Sequence, residues 1–410
     1  MKRLLVLVTV SAWLAVVGCS GAADTDAEST TTGSGGSDQA TAEVVPQVQE
    51  STVPDQIADE LGSAMSATME QYDVPGAVVS LEDPSLGDWS AVAGVADEDS
   101  GTAMSMDLQW PIRSITKSFT VTVLLQLVDE GTVSLDDTID QWVPGIPNGD
   151  SITLGQLADM TSGVPDYTGD AFAEDFAEDP GATFTRDQLI EYVREGEPSS
   201  APGEDRHYIN SSTILLGEVI EQVEGAGFDE VLATRILEPL ALGGTAYPTD
   251  PEGFTADHPT GYQPDDDGLT VPPTNFTVFD TAGAMTSDVD DLMVWGGGPL
   301  RRRLSSMRRP TRTAWSGRRS PPAPNTTPMP LGSVRSTAGG VIPEVDLAIT
   351  LVMHQPRSGA TVVILMNVSN LLTATCRPCC SGVRRDPGLG RENRSHFCLT
   401  QITGRPYCGP

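Results

Sequence analysis

The chain changes character near residue 297, and that break limits which part of it can form one acidic domain. Residues 1–296 hold 8 Lys and Arg against 53 Asp and Glu; residues 297–410 hold 16 Arg, no Lys and only 4 acids, Glu344, Asp346, Asp386 and Glu392. The 410 residues together carry a formal charge of −33. A molecule so acidic is repelled by a phosphate backbone, which excludes simple nucleic-acid binding by the whole chain. Hydrophobic residues make up 39% and charged residues 20%, enough apolar surface to bury a core. The acidic part must hold its fold without disulfides, because Cys19 is its only cysteine. Cys376, Cys379, Cys380, Cys398 and Cys408 all lie in the basic tail. They lack a second CxxC pair and have only His396 near them, so no metal site is expected.

The N-terminus reads as an address. Met1-Lys2-Arg3 precedes Leu4–Gly18, an uncharged and almost wholly apolar run. It falls short of the roughly 20 residues of a membrane span and fits the apolar core of a signal peptide. The run closes on Val16-Val17-Gly18-Cys19, which resembles a bacterial lipobox, with the Cys19 thiol as acceptor of a diacylglyceryl group. Export is therefore expected, with a lipid anchor on the outer face of the cell membrane and residues 1–19 as the signal. Residues 20–52 are rich in Ser, Thr, Gly, Ala and acids without apolar periodicity, and read as a flexible tether. The folded domain is expected over residues 53–370.

Ala77–Leu81 and Ser90–Val95 are small-apolar and β-branched runs parted by Pro84 and Gly87, the signature of a hairpin. Beyond them, Ile115–Val128 places Phe119, Val123, Leu124, Leu127 and Val128 near helical spacing, with Gly131 as a stop. Ser114 then sits at the start of that helix, with Lys117 one turn along the same face. A serine hydroxyl needs a neighbouring base to become a nucleophile, and a lysine three residues on can reach it. Amides at a helix N-terminus can also donate to a developing oxyanion. Such a pair alone also describes a capping serine beside a solvated lysine. Downstream, Tyr208 and Asn210 at i, i+2 point the same way from an extended segment. A tyrosine oxygen can relay protons, and an asparagine amide can orient a lysine or hold a substrate carbonyl.

With these stretches in view, the chain resembles the serine β-lactamase and penicillin-binding family, close to its class C β-lactamases, DD-peptidases and esterases. Ser114-Ile-Thr-Lys117, Ile152–Val164, Pro202-Gly203 with Tyr208-Ile-Asn210, Ile236–Leu242 and Ala282–Met293 follow the family's order and spacing from about 55 to 296. The resemblance implies an α/β fold: an antiparallel sheet flanked by helices, with a mostly helical subdomain over about 130–290. The sheet would combine the N-terminal hairpin with strands at 346–354 and 360–367. By matched position, Ser114 is the acylated nucleophile, Lys117 its base partner, Tyr208 a second proton-transfer group and Asn210 a substrate-orienting amide. Whether Lys117 or Tyr208 acts as the base stays open. His207 and His258 read as bystanders. The family needs no metal or organic cofactor.

The pattern breaks at the third motif, a [KH]-[TS]-G triplet on the strand beside the nucleophile. Ala338-Gly339-Gly340 is the best match, because Gly340-Val-Ile-Pro343 keeps the family's G-x-x-P spacing. Gly339 and Gly340 would line the substrate site, whereas Ala338 offers neither charge nor hydrogen bond. Residues 297–343 hold nine Arg and no acid, and after Asn370 the pattern fails again among clustered Cys, Arg and Pro. Residues 297–337 and 371–410 read as translated frame changes or as a natural basic insertion that binds anionic polymer or lipid. Without the family's closing helix, one face of the sheet is expected to lose its cover.

The function expected is an exported serine hydrolase working through an acyl-enzyme on an amide or ester. Its substrate would be a small molecule or a peptidoglycan peptide. The alternative is a catalytically impaired surface protein that binds wall peptides without turnover. Oligomeric state is not legible in the sequence.

Overall fold

The β2–β3 hairpin organises the structure, a computed structural model that describes residues 45–264, 268–272, 275–297, 348–355 and 358–369. Strand β2 (Gly76–Asp83) and strand β3 (Gly87–Asp97) pair antiparallel in unbroken register from Gly76↔Gly94 to Asp83↔Gly87. The turn is tied by Asp83, whose carboxylate accepts from Ser85 N, Ser85 Oγ and Leu86 N. Strand β1 (Gln47–Ser51) flanks β3 on its outer side, and β4 (Thr102–Ala103) also pairs with β3. Two further short strands, β5 (Trp110–Pro111) and β8 (Thr286–Ser287), pair with each other, as do β6 (Gln263–Pro264) and β7 (Leu269–Thr270). Strands β9 (Ile349–His354) and β10 (Thr361–Met366) close the sheet in the order β1-β3-β2-β10-β9, antiparallel throughout.

Ten α-helices are described: α1 (Asp55–Gln71), α2 (Thr116–Glu130), α3 (Leu154–Ala158), α4 (Asp170–Glu178), α5 (Arg186–Glu195), α6 (Ser211–Glu224), α7 (Phe228–Leu232), α8 (Glu238–Leu240), α9 (Asp280–Gly283) and α10 (Val289–Gly296). The sheet is apolar on both faces, which explains why β2 reads as a continuous run of small apolar residues. Val78, Val92, Val363 and Leu365 join one core with Phe119, Leu124 and Trp295. Ala77, Trp89, Ala91 and Ala93 join a second core with Met65 and Met69 of α1. The first core continues into the helical part through Ile214, Leu215 and Val219 of α6.

Three expectations change. The tether was expected to run to residue 52, yet Gln47–Ser51 is strand β1, whose five residues are all exposed and which is held by backbone pairing rather than by an apolar face. The sheet face expected to lose its cover is covered by α1 on the β1-β3-β2 side, while Val362, Ile364 and Met366 of β10 are half-buried. Tyr208 and Asn210 do not share an extended segment: Asn210 has φ −65° and ψ −39° and begins α6. Cys19, the signal and most of the tether lie outside the described residues, as do Ala338, Gly339, Gly340 and the segments 298–347 and 370–410.

Candidate active site

Arg113–Ile115 forms a single tight turn that leads directly into α2, so Ser114 stands at the mouth of the helix and is exposed. Helix α2 starts where Lys117 and Phe119 can face inward, and it ends on Gly131 at φ 77°, a left-handed cap that glycine adopts without a Cβ penalty. Lys117 is 7% exposed, its stem buried and its ammonium directed at the serine. Nζ donates to Ser114 Oγ at 3.3 Å and to Ala282 O at 2.7 Å.

Tyr208 arrives from the segment before α6, and its hydroxyl donates to Ser114 Oγ at 2.7 Å. Lys117 Nζ also lies 4.9 Å from the centre of the Tyr208 ring, within cation–π range. The three side chains read from the sequence are thus brought together on one oxygen. Asn210 is placed differently. Its backbone N–H donates to Asp166 Oδ2 at 3.3 Å, and among the described residues no hydrogen bond joins its side-chain amide to Ser114, Lys117 or Tyr208. His207 and His258 stay apart from this constellation: His207 N donates to Met160 O, and the His258 ring stacks on Phe254.

Three further features complete the surroundings of Ser114. Asp166 lies in the Ser162–Tyr167 loop, where burial pushes its carboxyl up. Hydrogen bonds from the Thr168 and Asn210 amides and the charge of Lys117 pull it back down. Arg113, just before Ser114, has φ 44° and is 8% exposed. Its guanidinium lies 4.4 Å from the Phe279 ring centre and 5.1 Å from that of Phe276. The third is the way the strip 280–287 runs alongside the segment that carries Ser114. Ile112 N donates to Met285 O, Met285 N donates to Thr116 Oγ1 at 3.2 Å, and Thr120 Oγ1 donates to Thr281 O at 2.9 Å. This stitching holds the Ala282 carbonyl against Lys117.

At the edge of the sheet, Thr350 Oγ1 of β9 donates to Pro111 O of β5 at 3.0 Å, which ties β9 to the segment just before Ser114. Among the described residues β9 pairs only with β10.

Comparison with known proteins places the chain in a family. The sequence profile of the family described as Beta-lactamase matches residues 61–373. Protein flp of Staphylococcus aureus (strain COL) is 28% identical over 212 residues, 49% of this chain and 41% of that protein. The D-alanyl-D-alanine-carboxypeptidase/endopeptidase AmpH of Escherichia coli (strain K12) is 31% identical over 154 residues, 34% of this chain and 37% of that protein. The chain therefore spans less than half the length of these curated relatives. Among solved structures, a D-stereospecific amidohydrolase from Streptomyces sp. superposes with a TM-score of 0.58 at 26% identity, over 80% of this chain and 100% of that one. The D-amino acid amidase of Ochrobactrum anthropi SV3 superposes with a TM-score of 0.59 at 21% identity, over 78% and 96% of the two chains, a likeness of fold. The profile match, which covers most of the chain, leads to one conclusion: the chain belongs to the beta-lactamase family.

Proposed function

We propose that the protein is an exported, lipid-anchored serine hydrolase that cleaves an amide or ester through an acyl-enzyme. The observation that carries the reading is the convergence of Tyr208 OH at 2.7 Å and Lys117 Nζ at 3.3 Å on Ser114 Oγ. In the acylation step, Ser114 Oγ passes its proton to the Lys117–Tyr208 pair and bonds to the substrate carbonyl carbon. The electron pair of the C=O collects on oxygen, where the Ser114 amide at the mouth of α2 can donate to it. The C–N or C–O bond then breaks, and the same pair returns the proton to the leaving amine or alkoxide. Water, deprotonated in turn by that pair, releases the acid and restores Ser114.

Amides of D-configured residues are the first substrates to assay, a choice supported by the likeness to the Streptomyces amidohydrolase. A fluorescent penicillin is expected to label the full chain and to fail with Ser114→Ala; equal labelling of both would remove Ser114 as nucleophile. Lipid anchoring is supported by Val16-Val17-Gly18-Cys19. It predicts that Cys19→Ala moves the protein from the membrane to the soluble fraction.

A second reading has one observation in its favour, Ala338 at the third-motif position. It makes the chain a wall-peptide binder without turnover. Steady-state hydrolysis by the unaltered chain excludes it, and a gain of turnover only in Ala338→His supports it. Reading the coding DNA in three frames across codons 290–345 decides whether Ala338 stands in a displaced frame; absence of an acidic, helix-like alternative rules that origin out.

A further inference from the structure

Lys117 is held by a carbonyl, and that carbonyl stands on a strained turn. The contact from Nζ to Ala282 O, 2.7 Å, is shorter than the 3.3 Å contact to Ser114 Oγ. Ala282 belongs to α9, a single turn whose first residue, Asp280, has φ 39°. A non-glycine residue persists in the left-handed region only where its surroundings over-determine it.

Charge does so here. Arg186 grips both oxygens of Asp280, Nε to Oδ2 at 2.6 Å and Nη2 to Oδ1 at 2.8 Å, a bidentate fit that lysine cannot reproduce. The Tyr247 hydroxyl donates to Oδ1, and Thr281 N donates to the same oxygen at 2.6 Å. Glu221 of α6 holds Arg186 from another side at 2.7 Å. Thr281 is pinned in turn, its Oγ1 donating to Thr213 O at 2.8 Å and its carbonyl accepting from Thr120 Oγ1 at 2.9 Å. A buried ion pair adds little net stability, because desolvation offsets its attraction. What this pair supplies is direction: the fork fixes the carboxylate, the carboxylate fixes the Thr281 amide, and the next carbonyl faces Lys117.

We infer that Arg186 and Asp280 are positioning residues for Lys117, holding α9 so that Ala282 O aims Nζ at Ser114 Oγ. The inference rests on the reading of Lys117 as a proton carrier, and both residues act on it through Ala282 O. The other charged or titratable groups facing Lys117 are Tyr208, with its ring centre 4.9 Å from Nζ, and Asp166.

The full chain has two lysines, Lys2 and Lys117. Lysine labelled with 15N at the side chain therefore gives two signals in the full chain and one after removal of residues 1–19, which hold Lys2, so Lys117 is reported directly. Arg186→Gln and Asp280→Asn are expected to move that signal and to slow acylation of Ser114 on the order of a hundredfold, with KM changed little. Asp280→Gly suits the left-handed backbone and guards against loss of fold in the other two; the same losses are expected from it. Arg235→Gln is the control. It breaks ion pairs with Glu130 at 2.8 Å and Glu224 at 2.7 Å, at the far ends of α2 and α6, so it should lower Tm and leave the Lys117 signal in place. A Lys117 signal unmoved in the folded Asp280 variants, or moved equally by Arg235→Gln, overturns the inference. If the unaltered chain is not acylated while the signal still moves in the Asp280 variants, the positioning stands and the hydrolase reading fails.

Discussion

Arg113 takes φ 44° immediately before Ser114, a conformation that costs an L-residue roughly 1–2 kcal/mol. Its guanidinium lies over Phe279 and Phe276, and a desolvated stack of this kind contributes about 2 kcal/mol. The two effects nearly offset, which predicts a ranking. Arg113→Ala keeps the strain and loses the stack, a loss of about 2 kcal/mol in urea unfolding. Arg113→Gly also loses the stack but relieves the strain, and should be roughly 1 kcal/mol more stable than the alanine variant. At the hydroxyl, Tyr208→Phe removes the 2.7 Å hydrogen bond to Ser114 and should slow acylation by about 10²–10⁴-fold with Tm little changed.

Asp166 gives a pH test. Burial raises its folded pKa above the ordinary 3.8, so the folded state holds the proton longer than the unfolded one. Its contribution therefore favours folding at low pH and declines as pH rises from the unfolded value through the folded one. Asp166→Asn is expected to be more stable than the parent at neutral pH, with the gap closing below the unfolded value; a gap independent of pH contradicts the sign. Ser114, Lys117 and Tyr208 were legible in the sequence because a serine, a lysine one turn on and a tyrosine before a helix are local patterns. Ala282 and Asp280 were not. They act across 165 and 94 positions, and a backbone carbonyl leaves no mark in a sequence.

At the scale of elements, the β2–β3 hairpin, α2 and the β9–β10 pair follow from apolar runs bounded by Gly and Pro. Strand β1 was hidden because its five residues are all exposed and only backbone hydrogen bonds hold it. The extended reading of Tyr208–Asn210 failed for a related reason: Asn210 already has helical angles, and its N–H is satisfied by Asp166. Where the strands meet, Asn367 ties three of them. Its Oδ1 accepts from Gly76 N at 2.7 Å, and its Nδ2 donates to Val95 O at 3.2 Å and Ala96 O at 3.3 Å. Asn367→Leu leaves a buried N–H and carbonyl oxygens without these partners, at about 1–3 kcal/mol for each unsatisfied group. A fall of about 3 kcal/mol in unfolding free energy is expected. A change under a few tenths would mean that water or another group replaces the amide.

Over the whole molecule, the acid excess of residues 1–296 dominates. Among the described residues, Arg186, Arg194 and Arg235 make ion pairs with acids. Acids also crowd one another: the Glu82 carboxyl is pushed up by burial and then by Asp88, Glu50 and Asp290. The screening length falls to about 10 Å at 0.1 M salt, so Tm should climb as NaCl is raised from a few millimolar toward that range. A Tm that falls over that range contradicts the picture of a self-repelling acidic body. The central claim is that this body carries a serine acylated with the help of Lys117 and Tyr208. Peptide mapping by mass spectrometry after reaction of the full chain with an activated ester tests it most directly. The account predicts one acyl group on the peptide holding Ser114, absent from Ser114→Ala and formed far more slowly in Tyr208→Phe. An acyl group on any other residue, or equal modification of Ser114→Ala, would contradict it.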